Sequence, residues 1–488
     1  MIKRIALAAI GITAVALLRL MGLMGLTGLP GLTAAAQRQV TFNEDVAPIV
    51  YDKCASCHRP GEAAPFSLLS YQDVQKRGKL IATVTASRFM PPWHAASDMG
   101  PFRDDRRLSD SQIQTIQDWV RAGMLEGNPR KSPMPPTFTP GWHLGEPDLV
   151  VKMGEPFEIP AEGPDVFRNF AIKLNLTEDE WVTAVEFRSS ARSSHHALFF
   201  LDQTGQAVSL DEADPRPGFV GMNFLAGGTA DAGTARGGGT LLQRIQSRTG
   251  RLDGTGVSLG GWAVGGVPAP LPAGLARSLP KLSDLVLQMH FHPSGKVERE
   301  QAVIGLHFAK APPAKRLAGL QLPPVFGALA GIDIPAGQKS FSIKDSFTLP
   351  IDADVISIGG HAHYLAKEMR MTATLPDGRR QDLGRIPDWK FNWQERYYFK
   401  NFIRLPKGTK LDVQITYDNS TGNVSNPSNP PKRVTFGEQS TDEMGAMTIE
   451  LVPVNARDLP TFTAAVQQHV QEAVANRIRD ALGARGQR

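Results

Sequence analysis

Between about residue 145 and residue 455 the chain is a succession of short apolar runs separated by turn-forming residues. That pattern restricts its fold more than any other feature. Runs such as Asp148–Lys152, Trp181–Arg188, Ala197–Leu201, Leu285–Phe291, Asp354–Ile358, Met369–Leu375 and Lys410–Tyr417 are too short for helices. Several hold β-branched residues or alternate apolar with polar, which is the signature of half-buried strands. The 47 glycines and 37 prolines provide the breaks, and such spacing favours sandwiches over helical bundles. Pro312-Pro313 and Pro323-Pro324 divide the region, predicting one sandwich over 148–315 and a second over 316–455. A Gly-rich stretch, Gly227–Gly261, interrupts the first and reads as a surface loop,. Residues 456–488 are Ala-rich and helical in composition.

The region before residue 145 is built differently. Residues 40–129 read as a small all-α unit. Val46, Ile49 and Val50 recur at helical spacing in Phe42–Lys53, and Ile113, Ile116, Trp119 and Val120 form a stripe after a capping Ser109 with Gln112 at the third position,. A Pro-rich linker over 130–147 follows,. Residues 1–36 carry Lys3 and Arg4, an uncharged run from Ile5 to Leu18, and a small-residue end, Thr33-Ala34-Ala35-Ala36. This is a secretory signal pattern with cleavage after Ala36. The alternative is an uncleaved anchor, because Leu20–Leu32 stays apolar beyond Arg19,. The expected location is periplasmic or otherwise exported, with membrane anchoring if the segment is retained. Lys3, Arg4 and Arg19 account for three of the +5 formal charges. The remainder is too nearly neutral for a nucleic-acid binder.

Both cysteines fall in one pentapeptide, Cys54-Ala55-Ser56-Cys57-His58. Two thiols at C-x-x-C-H spacing add to the two vinyl groups of haem, and the adjacent histidine ligates the iron. A zinc site wants further cysteines, and a thioredoxin-type motif wants a βαβ context; the chain has neither,. The expected cofactor is one covalent haem c on Cys54, Cys57 and His58. Met90, in Met90-Pro91-Pro92, is the first candidate for the sixth ligand, with His94 and Met99 as rivals. That segment resembles the Met-Pro-Pro loop before the last helix of class I cytochromes c, where Ser109–Gly123 supplies the helix.

Six of the eleven histidines come as close pairs in the β-rich part: His195-His196, His290-Phe291-His292 and His361-Ala362-His363. On a strand, His-x-His puts both imidazoles on one face. Adjacent histidines point to opposite faces, so His195 and His196 can chelate together only across a bend or bulge. Three pairs in one half of a chain point to metal ligation, and imidazole with thioether points to copper. His292 reads as a surface or supporting imidazole.

Four motifs in order, Ser194-His195-His196-Ala197, Leu287-Gln288-Met289-His290-Phe291, Gly360-His361-Ala362-His363 and Asp442-Glu443-Met444, resemble the copper type II ascorbate-dependent monooxygenases. That family includes peptidylglycine hydroxylases and dopamine beta-monooxygenase. The resemblance spans about residues 150–455 and implies two jelly-roll-like domains, each holding one copper across a solvent-filled cleft. It implies that His195, His196 and His290 hold an electron-transfer copper. It implies that His361, His363 and Met444 form the catalytic, oxygen-activating centre. Gly359 and Ala446 replace an Arg and an Asn of the peptide-amidating branch, which disfavours a peptidylglycine substrate.

The expectation is an exported haem- and copper-dependent monooxygenase that hydroxylates a small organic substrate with dioxygen. An ascorbate-like reductant or a redox protein supplies electrons, and the haem relays them by docking near His195, His196 and His290. The alternative from another class is a non-enzymatic electron-transfer or copper-handling protein.

Overall fold

In β18 (Lys410–Tyr417) the residues Leu411, Val413, Ile415 and Tyr417 are buried, and Lys410 and Gln414 between them are exposed. Alternation of this kind recurs through most of the protein and packs one face of each sheet inward. In this computed structural model the described residues are 38–485, apart from Ala63, 139–140, 222–257, Gly265 and Glu438. The expected signal segment, residues 1–36, lies outside them, as does the expected Gly-rich loop up to residue 257. No helix among the described residues is long and apolar enough to cross a membrane.

The first β unit runs through β1 (Leu149–Lys152), β2 (Phe157–Ile159), β3 (Val166–Lys173), β4 (Glu180–Arg188), β5 (Ser194–Asp202), β6 (Ser258–Ala263), β7 (Arg277–Leu279), β8 (Asp284–Phe291), β9 (Glu298–Glu300) and β10 (Val303–Phe308). Its two main sheets have orders β1-β10-β4-β7 and β3-β8-β5-β6. Between them pack Phe157, Phe170, Phe199, Leu287, Met289, Phe291, Ile304 and Leu306. The last residues of the expected Gly-rich loop are thus β6, paired with β5.

The second unit comprises β11 (Ala318–Leu322), β12 (Asp333–Ile334), β13 (Phe341–Thr348), β14 (Ala353–Ala362), β15 (Ala366–Thr374), β16 (Arg380–Ile386), β17 (Arg396–Leu405), β18, β19 (Val434–Thr435) and β20 (Gly445–Pro453). Sheets β11-β20-β14-β17 and β13-β18-β15-β16 enclose Leu320, Ile343, Val355, Met369, Ile415 and Ile449. Burying side chains of this size contributes roughly 1.5–3 kcal/mol each. The runs singled out in the sequence fall in strands, with Asp148 and Leu375 one residue outside β1 and β15.

The helical part contains α1 (Ala47–Lys53), α2 (Tyr71–Ala86) and α3 (Asp110–Arg121). Its core is Phe42, Val46, Val50, Val74, Ile81, Ile116 and Trp119. At the start of α3 the Gln112 amide donates to Ser109 Oγ at 3.1 Å, and the Ser109 amide donates to Gln112 Oε1 at 2.9 Å, a reciprocal cap worth about 1 kcal/mol. Gly78 allows α2 to approach α3: a Cβ there would lie 2.4 Å from Met124 Sδ and 3.3 Å from Trp119. A short helix, α4 (Gln206–Ala213), packs on the first β unit, and α5 (Leu459–Arg485) closes the chain. Phe462 and Val466 of α5 reach the core of the second unit, and His469 Nε2–H donates to Asp345 at 2.9 Å.

Residues 93–103, expected to stay within the helical unit, form a strap on the second β unit. Ala95, Ala96, Met99 and Phe102 join that unit's core. The Ala96 amide donates to Arg385 O at 2.9 Å, the Arg103 amide to Tyr398 O at 2.7 Å, and the Lys400 amide to Pro101 O at 2.9 Å. The strap covers β17, an edge strand whose unpaired backbone groups need such a partner,. The linker is held too. Arg59 lies 4.0 Å over the Phe138 ring, and the His143 amide donates to Glu186 of β4 at 2.8 Å.

Candidate metal centre

The pairing of β5 with β8 slips between Ser194 and His196, so that Ser194 faces Phe291 and His196 faces His290. His195 is the extra residue of a bulge. A bulge re-aims one side chain, which is the condition under which adjacent histidines share a metal. Ligand atoms of His195, His196 and His290 all lie within 4.8 Å of one another.

His290 Nε2–H donates to Asp165 Oδ2 at 2.9 Å, so its Nδ1 keeps a lone pair, and that atom lies 3.1 Å from His196 Nδ1. Two nitrogens each about 2.0–2.1 Å from one metal sit roughly 3 Å apart. His195 Nδ1 is buried and has no hydrogen-bond partner among the described residues. Burial first, and then neighbouring His290, hold His195 down to about 4. Burial also lowers His196 and His290. The set is therefore neutral at ordinary pH and offers lone pairs without a competing proton. These residues fit a metal, and three imidazoles fit copper.

Phe167 stacks on His290 at 4.2 Å with 3° between planes. His292 is exposed and donates from Nδ1 to Asp165 Oδ1 at 2.7 Å, so it supports the set through the carboxylate. Ser440 Oγ donates to Asp165 Oδ2 at 2.8 Å. Burial pushes the Asp165 carboxyl up, but the bonds from His290, His292 and Ser440 outweigh it and hold it below the usual carboxylate range. Asp165 carried no motif in the sequence.

His361 is the penultimate residue of β14, His363 follows the strand's end at Ala362, and their rings are 5.5 Å apart. His361 Nδ1–H donates to Gln394 Oε1 at 2.6 Å and His363 Nδ1–H to Asp442 O at 3.1 Å, leaving each Nε2 with its lone pair,. Burial lowers His361 to about 4 and His363 to about 3. In the β14–β20 register Ala362 faces Gly445. Met444, just before β20, is buried, and its amide and that of His363 both donate to Glu443 Oε2. Glu443, fully buried, accepts backbone amides of His363 at 3.0 Å, Leu365 at 2.6 Å and Met444 at 3.1 Å. It pins both ends of this set. Gly360 is required before His361, because a Cβ there would lie 2.6 Å from Met369 Sδ.

One ring, Phe391, meets histidines of both sets. Phe391, almost fully buried, has its centroid 5.6 Å from His195, 5.5 Å from His290 and 5.6 Å from His363. It belongs to residues 387–395, between β16 and β17. In the same segment Trp389 Nε1–H donates to His363 O at 3.1 Å, Gln394 holds His361, and Glu395 accepts from Arg106 at 2.6 Å.

In the helical part, His58 Nδ1–H donates to Phe66 O at 3.1 Å, which leaves Nε2 for an iron. Burial pushes the Cys54 thiol up to about 12 and raises Cys57 as well. A redox C-x-x-C favours thiolate instead. Trp93 Nε1 and Arg106 Nε are buried without partners among the described residues, and such donors suit the carboxylates of a haem. His94 Nε2 is also buried without a partner among them, but the ring donates to the Asp388 carbonyl, so that nitrogen carries a lone pair. The residues fit the group. Met90 follows α2, half-buried, its amide donating to Val84 O at 3.1 Å. Of its rivals, Met99 lies in the core of the second β unit, and the His94 amide donates to Tyr397 Oη at 3.2 Å.

No protein-family profile matches the chain, and no curated protein is similar to it in sequence. Among solved structures it is similar to the VP2 subviral particle of infectious bursal disease virus, at 11% identity and TM-score 0.18, over 66% of this chain and 74% of that one. PNGF-II gives 11% and 0.22 over 62% and 65%. The major capsid protein P2 of bacteriophage PM2 gives 11% and 0.20 over 60% and 99%. Likeness at this level carries no argument about function.

Proposed function

We propose that the protein is an exported haem- and copper-dependent monooxygenase that hydroxylates a small organic substrate with dioxygen. The observation that carries the reading is the bulge at His195, which gathers three neutral histidines within 4.8 Å and sets them across Phe391 from His363. His195, His196 and His290 hold one copper, and His361, His363 and Met444 the other. Cys54 and Cys57 would attach the haem, and His58 and Met90 would ligate its iron. When bound, copper supplies one-electron cycling at the first set and dioxygen activation at the second.

The chain's own residues do the rest. Asp165 fixes the ring of His290 through its Nε2 proton, and Gln394 and the Asp442 carbonyl fix His361 and His363. Carboxylate and carbonyl partners of this kind orient ligands and raise their basicity. Phe391 packs against His195, His290 and His363. Hydroxylation consumes two electrons and two protons with dioxygen, giving the alcohol and water. An external reductant, ascorbate-like or a redox protein, would supply the electrons, and the haem, when bound, would relay them.

The burial of both sets beneath Phe391 favours a second reading, electron transfer or copper handling without hydroxylation. The deciding experiment supplies isotopically labelled dioxygen and reductant to protein carrying one haem and two coppers. Labelled oxygen in an organic product supports the monooxygenase. Its absence across a broad substrate panel rejects it.

A further inference from the structure

The two routes from the Cys54–His58 motif into the β units differ. Toward the first unit, Arg59 and Glu62 meet His143, and His143 meets Glu186 on β4. Glu186 belongs to the sheet β1-β10-β4-β7, whereas His195, His196 and His290 sit on β5 and β8 of the opposite sheet. The packed core of the first unit lies between them. Toward the second unit the path is short and polar. Lys53, next to Cys54, donates from Nζ to Asp105 O at 3.0 Å. Arg106 donates to Glu395 at 2.6 Å, Gln394 adjoins Glu395, and its Oε1 accepts from His361 Nδ1–H at 2.6 Å. Gly359 pairs with Arg396, so this joint lies at the His361 end of β14. The strap over residues 93–103 fixes it.

We infer that electrons from the haem motif enter the copper pair at the His361/His363 set, across the Arg106–Glu395–Gln394 joint. This rests on the haem and copper reading above and reverses the docking side expected from the sequence. One electron leaves ferrous haem, which becomes ferric, and reduces cupric copper at His361 to cuprous; no bond to a proton breaks. Gln394 and Glu395 are positioning residues. They hold the ligand ring and the motif's neighbour Arg106 in a fixed relation.

The test uses the full chain, with haem counted by its haemochrome absorbance and copper by metal analysis. Haem is flash-reduced anaerobically by a photoexcited flavin, and freeze-quenched EPR then records which cupric signal disappears first. The signal assigned by its absence in His361→Ala is expected to go first, at a rate independent of protein concentration. Gln394→Leu should slow the decay of ferrous haem about tenfold at equal copper content and unchanged haem potential. Gln394→Glu keeps an acceptor oxygen and should restore the parent rate. If Gln394→Leu fails to hold copper, Glu395→Gln, which touches no ligand, must show the slowing instead. First loss of the His195/His196/His290 signal, or parent rates in both Gln394→Leu and Glu395→Gln, overturns the inference and leaves the proposed function standing. A chain that binds no haem or no copper overturns both.

Discussion

Ser440 Oγ donates to Asp165 Oδ2 at 2.8 Å, and the same carboxylate oxygen accepts from His290 Nε2–H at 2.9 Å. One carboxylate therefore joins a loop of the second β unit to the ligand ring of the first. The arrangement makes the shape of the first metal set depend on how the two units sit together. Leu275, Ile356 and Val452 add an apolar contact between the units, and the buried Arg277–Glu450 pair adds a charged one.

Asp165→Asn should weaken copper at the first set by about 10–100-fold, the usual cost of losing a carboxylate behind a ligating histidine. Competition with a cuprous chelator measures it. Ser440→Ala should have a smaller effect in the same direction. Unchanged affinity in Asp165→Asn would remove the carboxylate from the argument.

Glu450 links stability to pH. Burial pushes its carboxyl up, but Arg277 and Arg396 outweigh that and hold it down to about 2, against an ordinary value of 4.5. A depressed folded-state value stabilises the fold above about 4.5, and the contribution is lost as pH falls from there through about 2. Glu450→Gln should destabilise the protein at pH 7 by about 3–5 kcal/mol, because it leaves Arg277 buried without its charge partner. Denaturant unfolding at pH 7 and pH 3 checks both points: the difference between parent and variant should shrink at the lower pH.

Strand positions were legible because period-2 alternation is a local property, whereas the end of β14 at Ala362, which leaves His363 beyond the strand, was not. The bulge was legible only as a condition. Nothing in Ser194-His195-His196 states where the register slips, since that depends on β8 some ninety residues later. Helix α2 had local signals that escaped notice, Ser70 capping Asp73 at 3.1 Å and buried Val74 and Ile81. Residues 387–395 had none. Phe391 and Gln394 are ordinary in a turn, and their meaning comes from contacts made by distant strands. The strap over residues 93–103 escaped for the same reason, because its alanines suit any apolar surface.

The second set should respond differently to its two kinds of ligand. Met444→His should retain copper and shift its redox preference toward the cupric state, because imidazole is the harder donor. His361→Ala should lose that copper or bind it weakly, with the haem spectrum intact. Full copper content and unchanged coordination in His361→Ala would reject His361 as a ligand.

Phe391 sets the last prediction. Its ring packs against both histidine sets and lies 4.5 Å from the Tyr364 ring, so if small molecules reach the second set past it, removing the ring opens their way. Phe391→Ala should destabilise the protein by about 3–5 kcal/mol, the transfer and cavity cost of truncating a buried Phe. The same variant should bind carbon monoxide at the cuprous second set faster than the parent does, because the barrier to entry is removed while His361, His363 and Met444 remain. Flash photolysis of the carbon monoxide adduct measures that association directly. Equal rates in parent and variant would mean that small molecules reach the second set by another path, and that Phe391 only packs.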